Sequence, residues 1–282
     1  MSQLTLDEPI IDEAGSATLS QRDFARIRAL FQQWVGVTLG DDKLTLVHNR
    51  LHRRVVTLGL TDFRAYADLL SSADQVHERQ IAVDLLTTNE TYFFREPAHF
   101  AFLHEWVQVH DEPRRAWRAW SAASSSGEEA YSIALTLADA LGPSRWEVLG
   151  SDVSQRVLER ARRAHYPLKR VENFPAAYLR RFCLKGIGPY EGTLLIDRPI
   201  RERVQFTAIN LMRELPALGT FDVIFLRNML IYFTRQDRQE ILRRIARVVR
   251  PAGLVVVGHS ESLFDLNLGW HVLGPGIYKL SR

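Results

Sequence analysis

The chain has 282 residues, 46% hydrophobic and 24% charged, with a formal net charge of +3. That is enough apolar material for one large core or two modest ones, and two domains are expected. So mild a charge is compatible with an acidic partner but too weak to argue for nucleic acid, and the single cysteine, Cys183, excludes an internal disulfide and a cysteine-built metal cluster and suits a reducing cytoplasm.

Residues 1–16 carry Asp7, Glu8, Asp12 and Glu13 without Lys or Arg, which reads as a disordered tail rather than a signal peptide or membrane anchor. No apolar run approaches the roughly 20 residues that span a bilayer, so direct membrane insertion is not expected. From Thr18 to Ser72 apolar residues recur at helical spacing, as in Phe24, Ile27, Leu30, Phe31 and Trp34, then Leu44, Val47, Leu51, Val55 and Leu58. Gly36, Gly40 and Gly59 punctuate these helices, and Thr61-Asp62 caps one that holds Phe63, Tyr66, Leu69 and Leu70. A further helix at about Gln75 to Leu86 leads into a junction, Thr87 to Pro97. The reading is a small all-helical domain with its linker over residues 17–90.

After Ala116 strands alternate with helices, the pattern of a mostly parallel sheet covered on both faces. Strands are expected at Trp117–Ala123, Trp146–Asp152, Val204–Asn210, Phe221–Arg227 and Leu254–Ser260, with a late hairpin from His271 to Leu280. Helices fall at about Glu128–Leu141, Ser154–Ala164 and Arg235–Val249. The link from Asp152 to Val204 far exceeds the dozen or so residues a crossover needs, so a small β subdomain is expected there, at about 175–203. It holds a glycine turn, Gly186, Gly188 and Gly192, before the strand Thr193–Ile196. Residues 91–282 thus form an α/β, Rossmann-like domain.

In such open sheets ligands sit beyond the carboxyl ends of the strands. The first strand runs into Ala122-Ala123-Ser124-Ser125-Ser126-Gly127-Glu128-Glu129, a loop of small side chains opening a helix. Two glutamates there repel phosphate, because the amide-rich helix end already has its anions. The ligand should carry a positive group, and S-adenosylmethionine, with an ammonium, a sulfonium and no phosphate, meets that demand. An ordinary helix cap uses the same residues. Asp152, ending the second strand, suits ribose hydroxyls or the cap of the next helix. Asn210-Leu211 follows the third strand, and Arg227-Asn228 follows the fourth, where a capping role is also open.

Five blocks carry a resemblance: Thr88-Asn89-Glu90-Thr91-Tyr92-Phe93-Phe94-Arg95-Glu96; Trp120-Ser121-Ala122-Ala123 through Ser126-Gly127-Glu128-Glu129; Asp152; Phe225-Leu226-Arg227-Asn228 to Ile231-Tyr232-Phe233; and Gly258-His259-Ser260-Glu261. In this order and spacing they closely resemble the CheR-type chemotaxis receptor methyltransferases, from about Thr18 to the end. The resemblance implies a class I methyltransferase domain, an all-helical N-terminal domain and a β subdomain. The activity it implies is methyl transfer from S-adenosylmethionine to glutamate carboxylates of chemoreceptor signalling domains, in the cytoplasm, by a monomer that uses no metal and releases S-adenosylhomocysteine. Its cofactor contacts carry over to Asn89, Thr91, Arg95, Gly127, Glu129, Asp152, Asn210, Leu211, Arg227 and Asn228, and its groups beside the methyl to Arg95 and Tyr232. Ser124 and Ser126 stand where Cys or Ala and Thr are commoner, and Glu90 where an apolar residue is usual.

For the substrate, Lys43, Arg50, Arg53 and Arg54 share about a third of the helix circumference, a basic strip for an acidic receptor helix or simply a solvated face. Related enzymes with a turn like Gly186, Gly188 and Gly192 add a receptor's C-terminal pentapeptide to the β subdomain as an extra strand; a plain hairpin has the same glycines. A non-catalytic module that binds S-adenosylmethionine is the alternative, opposed by intact Arg95 and Tyr232. No Asn/Asp-Pro-Pro-aromatic or Pro-Cys motif supports nucleic-acid methylation, and no Gly-x-Gly-x-x-Gly supports a dehydrogenase.

Overall fold

The computed structural model describes residues 18–112, 115–142, 145–171, 174–263 and 269–280, so the expected tail at 1–16 lies outside the described residues. The chain divides into two compact units between Thr87 and Thr88.

The first unit is helical: α1 (Gln21–Val35), α2 (Leu44–Thr57), α3 (Phe63–Ser71) and α4 (Val76–Leu86). Ser20 caps α1 by accepting from the Asp23 amide, Gly36 ends it at φ 77°, and Asp62 caps α3 by accepting from the Ala65 amide. The apolar stripes meet in a core of Phe24, Ile27, Phe31, Val47, Leu51, Val55, Phe63 and Leu70, while Leu58 is exposed. Beneath them Glu78 is buried, accepting from Tyr66 Oη at 2.8 Å and from Arg54 Nε and Nη2 at 3.0 and 2.6 Å. Both partners gain from the contact: burial and the Glu78 carboxylate push the Tyr66 hydroxyl well up, and the Glu78 hydrogen bond raises Arg54.

The second unit's first helix is α5 (Pro97–Val109), which the sequence pattern does not announce. Its start is Glu96 in a left-handed conformation with no side-chain cap, and apolar Phe102 and Trp106 beside buried Phe100, Leu103 and Val107 blur the helical period. Next come β1 (Trp117–Ser121), α6 (Glu128–Leu141), β2 (Trp146–Asp152), α7 (Gln155–Arg163), β3 (His165–Pro167), α8 (Ala176–Phe182), β4 (Cys183–Lys185), β5 (Thr193–Ile196) and α9 (Arg198–Arg201). The remainder is β6 (Val204–Ala208), β7 (Phe221–Phe225), α10 (Arg235–Val248), β8 (Val249–Val256), β9 (Trp270–Gly274) and β10 (Ile277–Leu280).

The main sheet has the order β6-β2-β1-β7-β8-β10-β9. Its first five members are parallel, with Ser121 level with Gly150 on one side and Phe225 on the other; β10 runs antiparallel to β8 and β9. Strand order reverses at β1, so the exits of β1 and β7 open a crevice between loops that leave in opposite directions. β8 starts at Val249, earlier than the expected Leu254, because Pro251-Ala252-Gly253 reads locally as a turn but is carried as an irregular strand entry, with Ala252 at φ 62°. The three-stranded second sheet, β3-β5-β4, likewise starts before residue 175. Three residues, His165 to Pro167, leave no periodicity to read, and their pairing partners on β5 are distant in sequence.

Candidate active site

Each expected loop leaves the sheet where an open α/β crevice places it. Between β1 and α6, Ser125 and Gly127 take positive φ, 47° and 97°. A Cβ on Gly127 would stand 2.8 Å from Ala161 Cβ and 2.9 Å from Tyr166 Oη. The glycine is therefore demanded by the packing of α7 and β3 as well as by its dihedral angle. Tyr166 locks the loop further, its hydroxyl donating to the Ser126 carbonyl at 2.8 Å.

The two glutamates of the loop part company. Glu128 is fully buried and turned away, accepting from Arg170 Nη1 at 2.6 Å and Ser126 Oγ at 2.7 Å. Glu129 accepts from Ser121 Oγ at 2.7 Å and Arg227 Nη1 at 3.1 Å. Burial pushes the Glu129 carboxyl up despite Arg227 and Ser121, so its anionic form still gains from another positive group.

Asp152 ties β2 to this loop: Oδ2 accepts from the Ser125 amide and Oδ1 from the Ser154 amide, both at 3.0 Å. Ser154, not Asp152, is the helix N-cap. The Ile209 amide donates to the Asp152 carbonyl at 3.2 Å, which brings Asn210 alongside, and Asn210 Oδ1 accepts from the Met212 amide. Leu211 is buried, and its carbonyl accepts from Arg244.

The Thr88 to Glu96 segment joins the same mouth. Ser125 Oγ donates to the Asn89 carbonyl at 3.0 Å, and the Phe94 amide donates to Ser132 Oγ at 2.9 Å. Thr91 is half-buried in this segment. Arg95 is half-buried, with Nη1 3.3 Å from the Glu90 carbonyl and its guanidinium 5.7 Å from the Tyr92 ring centre. Phe94 and Glu96 both have positive φ, 54° and 58°, a rare pairing for non-glycine residues.

Arg227 occupies an unexpected position. Its side chain is buried, with Nη2 donating to the Arg95 carbonyl at 2.5 Å and standing 3.1 Å from Glu96 Oε2, while Nη1 reaches Glu129. Nη1 and Nη2 are engaged while Nε has no partner among the described residues, and the side chain holds the Glu129 carboxylate and the Arg95 backbone in one frame. Asn228 follows at φ 55°, and Tyr232 ends a short 3-10 turn, Leu230–Tyr232, partly exposed.

Sequence reasoning gave no role to Glu96 or His99. Burial alone would raise the Glu96 carboxyl, but Arg227, His259 and His99 outweigh it and hold it low. His99 is buried, Nε2 lying 3.0 Å from the Pro275 carbonyl, and burial with nearby Arg227 lowers its pKa to about 4. The ligand atoms of Glu96, His99 and His259 lie within 4.8 Å of one another. Arg227 already supplies the positive charge at that carboxylate, which disfavours a metal ion. A signal for Glu96 did exist, an acid directly before the proline that opens a helix.

The donor set suits S-adenosylmethionine. Carboxylates stand at the ends of β1 and β2, Glu129 and Asp152, a surrounding for ammonium and hydroxyl groups and not for phosphate. The other expected residues belong to other elements. Arg50, Arg53 and Arg54 are on α2 of the helical unit, and Gly186, Gly188 and Gly192 border β4 and β5. Of the basic strip, Arg50 donates to the Leu86 and Thr87 carbonyls, Arg54 is held by Glu78, Lys43 pairs with Asp42, and Arg53 is exposed.

Comparison with known proteins gives the family. Residues 89–274 match the family model "CheR methyltransferase, SAM binding domain", and residues 22–87 match "CheR methyltransferase, all-alpha domain". The chemotaxis protein methyltransferase of Escherichia coli strain K12 is 42% identical over 94% of this chain and 92% of its own length. That of Salmonella typhimurium strain LT2 is 41% identical over the same shares, and chemotaxis protein methyltransferase 2 of Pseudomonas aeruginosa is 39% identical over 92% and 93%. The chain belongs to the CheR methyltransferase family and is an S-adenosylmethionine-dependent methyltransferase of chemoreceptors.

Proposed function

We propose that Arg95 and Tyr232 present a receptor glutamate for methyl-ester formation, with Asn89, Thr91, Arg95, Gly127, Glu129, Asp152, Asn210, Leu211, Arg227 and Asn228 holding the cofactor. S-adenosylmethionine, when bound, supplies the electrophilic methyl group. A glutamate with an ordinary pKa of about 4.3 is ionised at neutral pH, so no side chain here has to remove a proton. The protein's work is alignment and exclusion of water, worth roughly 7–11 kcal/mol when reacting groups are held in place. A guanidinium can hold a carboxylate by two parallel bonds, and a phenol hydroxyl can fix its remaining freedom. Arg95 positions the nucleophile rather than activating it, since too tight an ion pair would quench it.

The observation that carries this reading is the Arg227 bridge, which joins Glu129 on the cofactor side to the backbone of Arg95 on the substrate side. A binding module that performs no chemistry has no need to register those two against each other. The test is mass spectrometry of receptor signalling domains after incubation with the protein and S-adenosylmethionine. Base-labile additions of one methyl on glutamates support the reading, and their absence rejects it.

Two docking features belong to the same proposal. Arg53 is the basic residue of α2 that remains exposed for an acidic receptor helix. On the small sheet, β4 is an edge strand, with Leu184, Ile187 and Tyr190 exposed along and beside it. Gly186 has no room for a Cβ, which would fall 1.9 Å from the Tyr190 carbonyl oxygen, and Gly188 and Gly192 have φ of 56° and 76°. An unpaired edge with apolar side chains suits a receptor's C-terminal pentapeptide added as a strand. Calorimetry with full-length and tail-truncated receptor decides it, equal affinities removing the tether. No helix among the described residues is long and apolar enough to cross a membrane; work as a cytoplasmic monomer is part of the proposal.

A further inference from the structure

The exits of β7 and β8 are joined by one carboxylate that the reaction itself does not require. After β7 the chain leaves regular structure at Arg227-Asn228, and its amides turn inward without a strand to bond. Glu261, buried in the loop after β8, receives them: Oε2 accepts from the Asn228 amide at 2.7 Å and the Gly258 amide at 2.8 Å, and Oε1 accepts from the Ile231 amide at 3.3 Å. Its own amide donates to the Gly258 carbonyl at 2.8 Å, closing the loop on itself. Gly258 admits no side chain, since a Cβ would fall 2.5 Å from Asn228 Nδ2 and 3.0 Å from Glu261 Oε2.

Three backbone donors converging on one side chain call for an acceptor at both oxygens. A carboxylate meets that demand, whereas an amide would aim an N–H at one of the donors. The donors are not equivalent in consequence. Asn228 is held in a left-handed conformation, which costs a non-glycine residue free energy unless its surroundings fix it. Ile231 is the middle residue of the 3-10 turn whose last member is Tyr232. Tyr232 is partly exposed, so its direction is inherited from that turn rather than from enclosure in the core.

We propose that Glu261 is a positioning residue for methyl transfer: by accepting from the Asn228, Ile231 and Gly258 amides it sets the turn that aims Tyr232. This rests on the assignment of Tyr232 to the substrate side of the reaction.

The test is a double-mutant cycle in the full chain with E261Q, Y232F and both together, reading receptor-methylation kcat, S-adenosylmethionine affinity by calorimetry, and the Ile231 amide proton by NMR. Glutamine keeps one oxygen for Asn228 and Gly258 and loses the acceptor for Ile231. The expected result for E261Q is a fall in kcat of about tenfold, the scale of one hydrogen bond to a charged group, with cofactor affinity changed less than about threefold and the Ile231 amide shifted upfield. The double variant should be no slower than Y232F, because Glu261 acts through Tyr232. A slow Y232F with E261Q at the parental rate, or with losses that multiply, overturns the inference alone. A Y232F variant at full rate rejects the assignment of Tyr232 and the inference together. If E261Q does not fold, E261D, which keeps the charge and shortens the reach, takes its place with the same outcomes.

Discussion

Arg227 and Glu129 form a buried ion pair of 3.1 Å, although 98 residues separate them along the chain. The same guanidinium stands 3.1 Å from Glu96 and donates to the Arg95 carbonyl, so one cation compensates two carboxylates and fixes a backbone. Breaking a pair of this kind costs more than forming it gains, because the abandoned charges stay desolvated.

Arg227→Met should therefore lower stability by about 3–5 kcal/mol in urea unfolding, the range for removing one partner of a buried pair. Cofactor affinity should fall as well, since Glu129 loses its orientation. A variant as stable as the parent would show that the two acids have other compensation.

Asp152→Ala should weaken S-adenosylmethionine binding by tenfold or more, about 1.4 kcal/mol, while Asp152→Asn should lose less, because an amide oxygen can still accept from Ser125. Titration calorimetry reads both. Equal losses would mean that charge, and not the loop contact, is what matters.

Arg95→Ala should reduce kcat far more than cofactor affinity, and Arg95→Lys should restore only part of it, because a point charge lacks the guanidinium fork. Initial rates with saturating cofactor check this. Full activity in Arg95→Ala discards its role.

His99 makes stability depend on pH. With a folded pKa of about 4 against an ordinary 6.5, it stays neutral in the native protein while the unfolded chain takes up a proton. The sign follows: the unfolded state binds more protons between those values, so stability is lost as pH falls from about 6.5 towards 4, by up to roughly 3 kcal/mol. Glu96 and His259 pack against His99, so the comparison must be with His99→Gln, which should show a flatter pH profile of its melting temperature over that range. Parallel profiles would remove His99 as the source.

Arg53→Glu and Arg54→Glu should separate docking from folding. Arg53 is exposed, so its reversal should slow receptor methylation and leave the melting temperature unchanged. Arg54 donates twice to buried Glu78, so its reversal places two carboxylates together and should destabilise the helical unit. If both variants melt like the parent and methylate normally, α2 is not the receptor surface.

Much of this molecule is legible in its sequence. The apolar period of Phe24, Ile27 and Phe31 makes a helix wherever it folds, and the alternation of strands and helices after Ala116 admits few arrangements besides a parallel sheet with its loops at one end. The small-residue loop before Glu128 and the acid ending β2 follow from local pattern, and so does their meeting at the mouth of that sheet. What the chain order does not contain is the partner of each charge. Glu128 and Glu129 are adjacent and chemically identical, yet Arg170 takes one into the interior and Ser121 and Arg227 hold the other at the site. Arg53 and Arg54 part in the same way, through Glu78. Periodicity reports which face of an element is buried, because burial is paid residue by residue along it. The pairing of buried charges depends on groups that meet only after the strands have been ordered, so it was settled by the tertiary structure.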